Sequence, residues 1–197
     1  MGREVRTTLR DGTGVVLRDV EPGDAAALVA GFERLSRQSR VFRFLRAVER
    51  LEPRDVEAFT HPDHTTHEAI GALVEEKEGN VPAGIGHFFR APNALDRAEL
   101  ALTVIDPYQQ KGVGSLILGR LLRRAAEVGI RRFDAVVHIR NEGMARLLRQ
   151  LGATSFLDGT TRFYDLPVHS DPASYPDTRA GDTVRRAWAL QAISVAV

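Results

Sequence analysis

Cysteine is absent from the 197-residue sequence, which excludes disulfides and any metal or redox site built on thiolates. Long apolar runs are absent too. None approaches the ~18 residues of a membrane span, and the N-terminal MGREVRTTLRDG holds no apolar signal region. An excess of one charge is also missing: 27 Lys and Arg face 26 Asp and Glu, for a formal net charge of +1. Nothing global therefore points to nucleic acid or to an anionic membrane as a partner. The basic residues are almost all arginine, as expected of a GC-rich bacterial source. Hydrophobic residues make up 43%, enough for the core of one domain with or without an appendage. A soluble, cytoplasmic protein is the expectation.

Two periodicities alternate along the chain. VRTTL and VVLRD flank an Asp-Gly turn and read as a β-hairpin. EPGDAAALVAGFERLS has Pro22 near its start and Ala27, Leu28, Phe32 and Leu35 at helical spacing. SRQSRVFRFL and EPRDVEAFT, the latter opening at Pro53, read as two more short helices. HEAIGALVEEKEG and PAGIGHFFRA are extended runs joined by a turn containing Gly79 and Asn80, and RAELALTVID is a third strand. A helix from Gly112 to Glu127 follows, closed by Gly129. FDAVVHI is a strand, NEGMARLLRQLG a helix between Asn141 and Gly152, and TSFLD with RFYDL a closing hairpin. The order ββ-ααα-βββ-α-β-α-ββ is a mixed α/β layer architecture. After Leu166, PVHSDPASYPDTRAGD reads as an irregular linker and TVRRAWALQAISVAV as a terminal helix. The apolar surface of that helix calls for a partner, on its own domain or on a second copy in a homodimer.

The chemistry turns on DPYQQKGVGSLILGRLL, which begins at Asp106. A Walker loop needs Gly-Lys followed by Ser or Thr, but Lys111 precedes Gly112. A dinucleotide fingerprint needs a third glycine where Ile117 stands. The pattern Gln/Arg-x-x-Gly-x-Gly/Ala between a strand and a helix remains. Gln109, Gly112 and Gly114 match it, and Ser115 leads into the helix. The first amides of a helix have no internal partners, and its start carries partial positive charge. Glycines let the backbone curl around a diphosphate. The plain alternative is a glycine turn before a surface helix; the well-marked strand before it and helix after it favour the cradle.

From Glu99 to Ala153 the chain runs strand, Gln-x-x-Gly-x-Gly, helix, strand, then an Asn-opened helix closing in Leu-Gly. This resembles the acetyl-CoA-binding core of the GNAT superfamily of N-acetyltransferases. The resemblance implies an α/β (α+β) fold, a mixed and mostly antiparallel sheet flanked by helices. It would occupy residues 1–166, leaving 167–197 as a linker and a helix. It also implies acetyl-CoA as cosubstrate. Backbone amides of Gln110, Lys111, Gly112, Val113, Gly114 and Ser115 would hold the pyrophosphate, in a loop shaped by Gln109. Backbone groups of Thr103, Val104 and Ile105 would pair with the pantetheine arm like an added strand. Asn141 would touch the cofactor near its pantetheine or phosphates; it also reads as a plain N-cap, and the two roles are compatible. Upstream, Ser36, Ser39, Arg40, Arg43 and Phe44 match a Ser-x-x-Ser-Arg-x-x-Arg-Phe-like stretch of the bacterial Pat-type protein lysine acetyltransferases. That narrower resemblance extends over most of Val15 to Leu166 and implies a protein lysine as the acceptor.

Acetyl transfer needs a neutral amine. A lysine starts near pKa ~10.4, so a base must take its proton. Alternation puts Glu99, Ala101 and Thr103 on one strand face, away from Leu100, Leu102 and Val104. Pat-like enzymes carry a strand glutamate in this place as the base, which makes Glu99 the candidate. The alternative is a strand-end glutamate paired with Arg97 or another arginine. Where many GNAT enzymes have a tyrosine seven residues after the Asn, this chain has Leu148. Water or the substrate ammonium is left to protonate the thiolate, with Tyr164 as a further candidate. HPDHTTH contains His61, His64 and His67, but these diverge on a helix, alternate on a strand, and are interrupted by Pro62, so no metal site is expected. His67 and His87 would line the acceptor site or be partly buried residues with satisfied rings, and His138 has the same satisfied-ring alternative. RLLRRAAEVGIRR reads as a solvated helix face with one arginine near the 3′-phosphate of coenzyme A. Two other classes compete with a lysine acetyltransferase. One is an acetyltransferase for a small-molecule amine such as a polyamine, amino acid or antibiotic; the other is a non-catalytic acyl-CoA-binding regulatory domain.

Overall fold

The computed structural model describes residues 4–191. Its strands are β1 (Glu4–Thr8), β2 (Gly14–Asp19), β3 (His67–Glu76), β4 (Gly79–Ala91), β5 (Ala94–Val104), β6 (Arg132–His138), β7 (Thr154–Asp158) and β8 (Thr161–Pro167). The helices are α1 (Ala25–Glu33), α2 (Arg37–Phe44), α3 (Pro53–Thr60), α4 (Val113–Glu127), α5 (Glu142–Gln150) and α6 (Arg179–Ala189). All eight strands join one sheet in the order β1-β2-β3-β4-β5-β6-β8-β7. Six of the seven pairings are antiparallel; β5 and β6 run parallel. This is the mixed, mostly antiparallel sheet expected, and the element order matches.

Three local details differ from the sequence expectation. The turn after β3 is Lys77–Glu78, and Gly79, at φ 121°, already opens β4 with Asn80. β5 begins at Ala94 because it forms a hairpin with β4, in which Ala91 faces Ala94. α6 begins at Arg179 rather than Thr183, since the Thr178 hydroxyl caps it by accepting from Gly181 N at 3.1 Å. Residues 192–197 of the expected terminal helix lie outside the described residues.

The core lies between the sheet and α4, whose Leu116, Ile117, Leu118, Leu121 and Leu122 are all buried. Helices α1 to α3 cover part of the opposite face, with Phe32 and Leu35 buried there. α6 packs on α4 and adds Ala180, Val184 and Ala187 to the same core. The arginine run on α4 is not the solvated face that its charge suggested. Arg120 and Arg124 are 6% and 9% exposed. Arg120 donates to Leu190 O at 2.9 Å and Arg123 to Trp188 O at 2.8 Å. Both serve the last carbonyls of α6, which have no partner within their own helix, and they set positive charge at its negative end. Arg124 instead meets Asp19 at 3.3 Å.

Candidate active site

The glycine loop follows β5 and is curled by residues in the left-handed region, Gln110 at φ 60° and Gly112 at φ 104°. α4 starts without a side-chain cap, and its first internal bond runs from Leu116 N to Gly112 O at 3.1 Å. The amides of Val113, Gly114 and Ser115 therefore have no carbonyl behind them in the helix. The Gln109 side chain shapes the loop from within, donating to Val104 O at 3.0 Å and to Ser39 Oγ at 3.1 Å.

Asp106 ties the loop to α2. It accepts from Ser36 N at 3.0 Å, Ser36 Oγ at 2.6 Å and Ser39 Oγ at 3.0 Å. Burial pushes the Asp106 carboxyl up, but these hydrogen bonds outweigh it and hold the group below its ordinary value. Arg40 completes the anchorage. It donates to three backbone carbonyls, of Leu35, Glu49 and Glu33, and lies 4.5 Å over the Phe32 ring. The upstream serine-arginine motif is thus a docking device for α2.

Beside the loop the sheet opens. β5 and β6 are in register only at Arg97–Arg132, Ala98–Phe133 and Glu99–Asp134. Beyond these pairs β5 continues to Val104 and β6 to His138 without pairing to each other. Backbone direction alternates along a strand, and Ile105 N donates to Ala83 O on the β4 side at 2.8 Å. The backbone groups of Thr103 and Ile105 accordingly turn toward β4, and those of Leu100, Leu102 and Val104 toward the opening. The expected trio is corrected on this point. Val104 keeps a backbone edge in the opening, while Ile105 spends its amide on Ala83 and its carbonyl on Tyr108 N. Thr103 and Ile105 thus turn their backbone groups to β4, and Leu102 turns its own to the opening; counting strand parity outward from the loop is the signal that finds this.

The opening is part of a groove of about 550 Å³. Leu102, Thr103, Val104, Gln109, Gln110, Lys111, Gly112, Gly114 and Ser115 line it, as does Asn141. Val113 is fully buried and its side chain belongs to the core. Asn141 caps α5 by accepting from Met144 N at 3.1 Å while also lining the groove.

Glu99 stands at the last β5–β6 pair, on the sheet face shared with α2 and α3. It is exposed and has no hydrogen bond or ion pair among the described residues. Arg97 does not hold it, because Arg97 pairs with Asp134 and Asp165. Arg43 of α2 is close enough for its charge to feel that of Glu99. Burial lowers the pKa of the Arg43 guanidinium and the Glu99 charge raises it, with burial the stronger. The guanidinium lies 5.0 Å from the Phe44 ring centre and 5.4 Å from that of Phe59. Arg43 and Thr103 line both the groove and an adjoining cavity of about 100 Å³ beneath α1 to α3.

His87 lines that cavity, and His67 lies next to it. Their rings meet Nε2 to Nδ1 at 3.1 Å, with 8% of His67 and 1% of His87 exposed. Burial first, and then the Arg43 charge, push His87 well below the ordinary imidazole value. Burial also lowers His67, against the opposing pull of Asp63. The pair is neutral and mutually satisfied. His61 turns to Glu57 O at 2.9 Å and His64 to Glu68 at 2.8 Å, so the three histidines of HPDHTTH do not converge. His138 accepts from Arg140 N at 3.1 Å, and its ring centre lies 5.4 Å from that of Phe42, tilted by 33°. Leu148 is buried, and the Tyr164 hydroxyl is buried without a partner on the Ala135 side of the sheet, opposite Glu99. On the Glu99 side an exposed apolar row crosses the last strands, where Val136 faces Phe163 and Phe163 faces Phe156.

The chain matches the family described as acetyltransferase (GNAT) domain over residues 15–154. Acetyltransferase Pat of Mycolicibacterium smegmatis is 32% identical over 145 residues, which are 74% of this chain and 43% of that protein. This chain therefore spans less than half the length of that relative. The crystal structure of the GNAT domain of S. lividans PAT superposes with a TM-score of 0.76 at 29% identity, covering 83% of this chain and 96% of that one. A cAMP-binding acyltransferase from Mycobacterium smegmatis superposes with a TM-score of 0.62 at 27% identity, over 95% of this chain and 56% of that one. Sequence match, sheet order and the glycine loop at the strand opening agree: the chain belongs to the GNAT acetyltransferase family.

Proposed function

We propose that this protein moves an acetyl group from acetyl-CoA to the side-chain amine of a protein lysine, by direct transfer in a ternary complex. The groove suits that donor. Unpartnered helix-start amides at Val113, Gly114 and Ser115 suit a pyrophosphate, and the β5 backbone edge at Leu102 and Val104, turned to the opening, suits the amides of a pantetheine arm.

The observation that carries the catalytic reading is Glu99, an exposed carboxylate with no ion-pair partner, on the strand that lines the groove, where β5 and β6 part. A lysine ammonium near pKa ~10.4 gives its proton to Glu99, directly or through one water. The freed nitrogen forms the new amide bond to the acetyl carbon as the carbon–sulfur bond breaks. After attack the nitrogen carries one proton too many for an amide, and it gives that proton to the departing thiolate, directly or through water, since neither Leu148 nor Tyr164 offers an acid on this face. A protein acceptor is favoured by the exposed row of Val136 and Phe156 on the Glu99 side and by the likeness to the Pat relatives. A polyamine fits less well, because Arg43 sets a cation beside the cavity next to Glu99.

The test is mass spectrometry of candidate acceptor proteins after incubation with acetyl-CoA, for the wild type and Glu99→Gln. Loss of Glu99 is expected to lower turnover by roughly 10²–10⁴-fold while acetyl-CoA still binds. Full turnover by Glu99→Gln would remove Glu99 as the base. Acetylation of small amines but of no protein would remove the lysine assignment.

A further inference from the structure

The groove is more cationic than a pyrophosphate requires. Among the described residues, seven cationic side chains line it against one carboxylate, Glu142. Three of the seven, Arg10, Arg179 and Arg186, come from outside the family-matched residues 15–154. Arg10 lies between β1 and β2, and the other two lie on α6.

Their place follows from how α6 meets α4. Gly119 of α4 lies against Val184 and Ala187, and Arg123 reaches Trp188 and Leu190. The two helices therefore run side by side in the same direction, and the start of α6 lies beside the start of α4. Gly114 faces Leu102, Val104 and Leu147, whereas Gly119 faces α6. Five residues of helix separate those directions by roughly 140°. The pantetheine edge and α6 thus flank the pyrophosphate cradle on different sides. Coenzyme A continues past its pyrophosphate into a ribose bearing a 3′-phosphate, and α6 lines the groove on the side away from the pantetheine edge.

Arg179, Thr183 and Arg186 form one stripe of α6 facing the groove, while Ala180, Val184 and Ala187 form the buried stripe. Neither groove-facing arginine of α6, nor Arg10, has a carboxylate partner among the described residues. Among the described residues Arg186 donates only to Thr8 O, at 3.1 Å. The contrast is Arg185 on the same helix, held by Asp177 at 2.8 Å and Asp182 at 2.6 Å and absent from the groove lining. A phosphomonoester carries about −1.5 to −2 charge at neutral pH, and a guanidinium matches its oxygens in pairs. The arginines of α4 expected for this duty are committed to the carbonyls of α6 and to Asp19.

We infer that α6 supplies a phosphomonoester clamp in which Arg179 and Arg186, with Arg10, bind the 3′-phosphate of coenzyme A. This rests on acetyl-CoA as the donor. The test is calorimetric titration of the full chain with coenzyme A and with 3′-dephospho-coenzyme A. The wild type binds coenzyme A about 10–100-fold tighter. Arg179→Ala and Arg186→Ala each weaken coenzyme A about tenfold and leave the dephospho ligand unchanged, which also reports that the variants are folded. The double variant brings the ratio close to one, and Arg185→Ala keeps it. Equal affinities in the wild type, an undiminished ratio in the double variant, or an equal loss for both ligands would each overturn the clamp. If neither ligand binds the wild type, the donor assignment falls as well.

Discussion

Gly119 stands where α4 and α6 cross at their closest. A Cβ added there would sit 2.8 Å from Ala187 Cβ and 3.1 Å from both the Cα and the carbonyl oxygen of Val184. Two of those three atoms are helix backbone and cannot rotate away. Carbon atoms rest at ~3.5–4.0 Å, so a side chain at this position must lift α6 by about 1 Å. Overpacking of this kind costs roughly 1–3 kcal/mol. Lifting α6 also loosens Val184, whose full burial is worth about 1.5–3 kcal/mol. The gain in helix propensity from glycine to valine is only a few tenths, about 0.4 kcal/mol. Gly119→Val is therefore expected to lose about 3 kcal/mol, which for a chain of this size lowers the melting temperature by roughly 6–12 °C. Gly119→Ala carries the same Cβ but gains about 1 kcal/mol in propensity, so its loss is a fraction of that. Thermal melts followed by circular dichroism, with urea midpoints as a second measure, decide the matter. A valine variant melting within ~2 °C of the wild type would show that α6 does not lie on Gly119 and would refute the packing described above.

Gly112→Ala strains a residue at φ 104° by roughly 1–2 kcal/mol; acetyl-CoA binding should weaken by about tenfold in calorimetry, and an unchanged Kd would mean that the loop curl does not hold the donor. Asp106→Asn removes the charge that receives Ser36 and Ser39, with an expected loss of about 1–2 kcal/mol in the urea midpoint; no loss would mean that α2 is docked by other contacts. The histidine pair gives a pH test. Unfolded imidazoles titrate near ~6.5, and the folded His67 and His87 values lie lower. Their contribution to stability is complete above ~6.5, declines as pH falls below it, and stops declining under the folded values. His87→Phe should flatten that decline relative to the wild type between pH ~6.5 and ~5, and parallel curves would show that His87 is not held neutral.

The parts of the site that can be read from sequence are those whose requirement is local. Gly112 needs a left-handed φ and Asn141 needs a free amide three residues on, so a few neighbouring letters suffice for both. The free edge of β5 is another matter. Whether Thr103 or Leu102 faces the opening depends on which strand lies on either side, and that is settled by Ala83, far back in the sequence. Ser36 and Ser39 look like an ordinary helix start until Asp106 arrives from 70 and 67 residues away. The arginines of α4 likewise mimic a solvated face; the carbonyls they serve belong to a helix some 65–70 residues later. Charge alone does not distinguish a side chain in water from one buried at another helix's end.

The three-pair junction of β5 and β6 gives the sheet a seam. Five strands stand on one side and three on the other, sutured at one end and gaping at the other. A donor laid along Leu102 and Val104, as proposed, would supply ladder rungs that the polypeptide itself does not. Stiffness in this molecule would then be partly a property of its substrate: with a donor in place the ladder would extend past the three pairs that the polypeptide makes, and each release would shorten it again. Slowed amide exchange along β5 on addition of coenzyme A would be the signature of that closure.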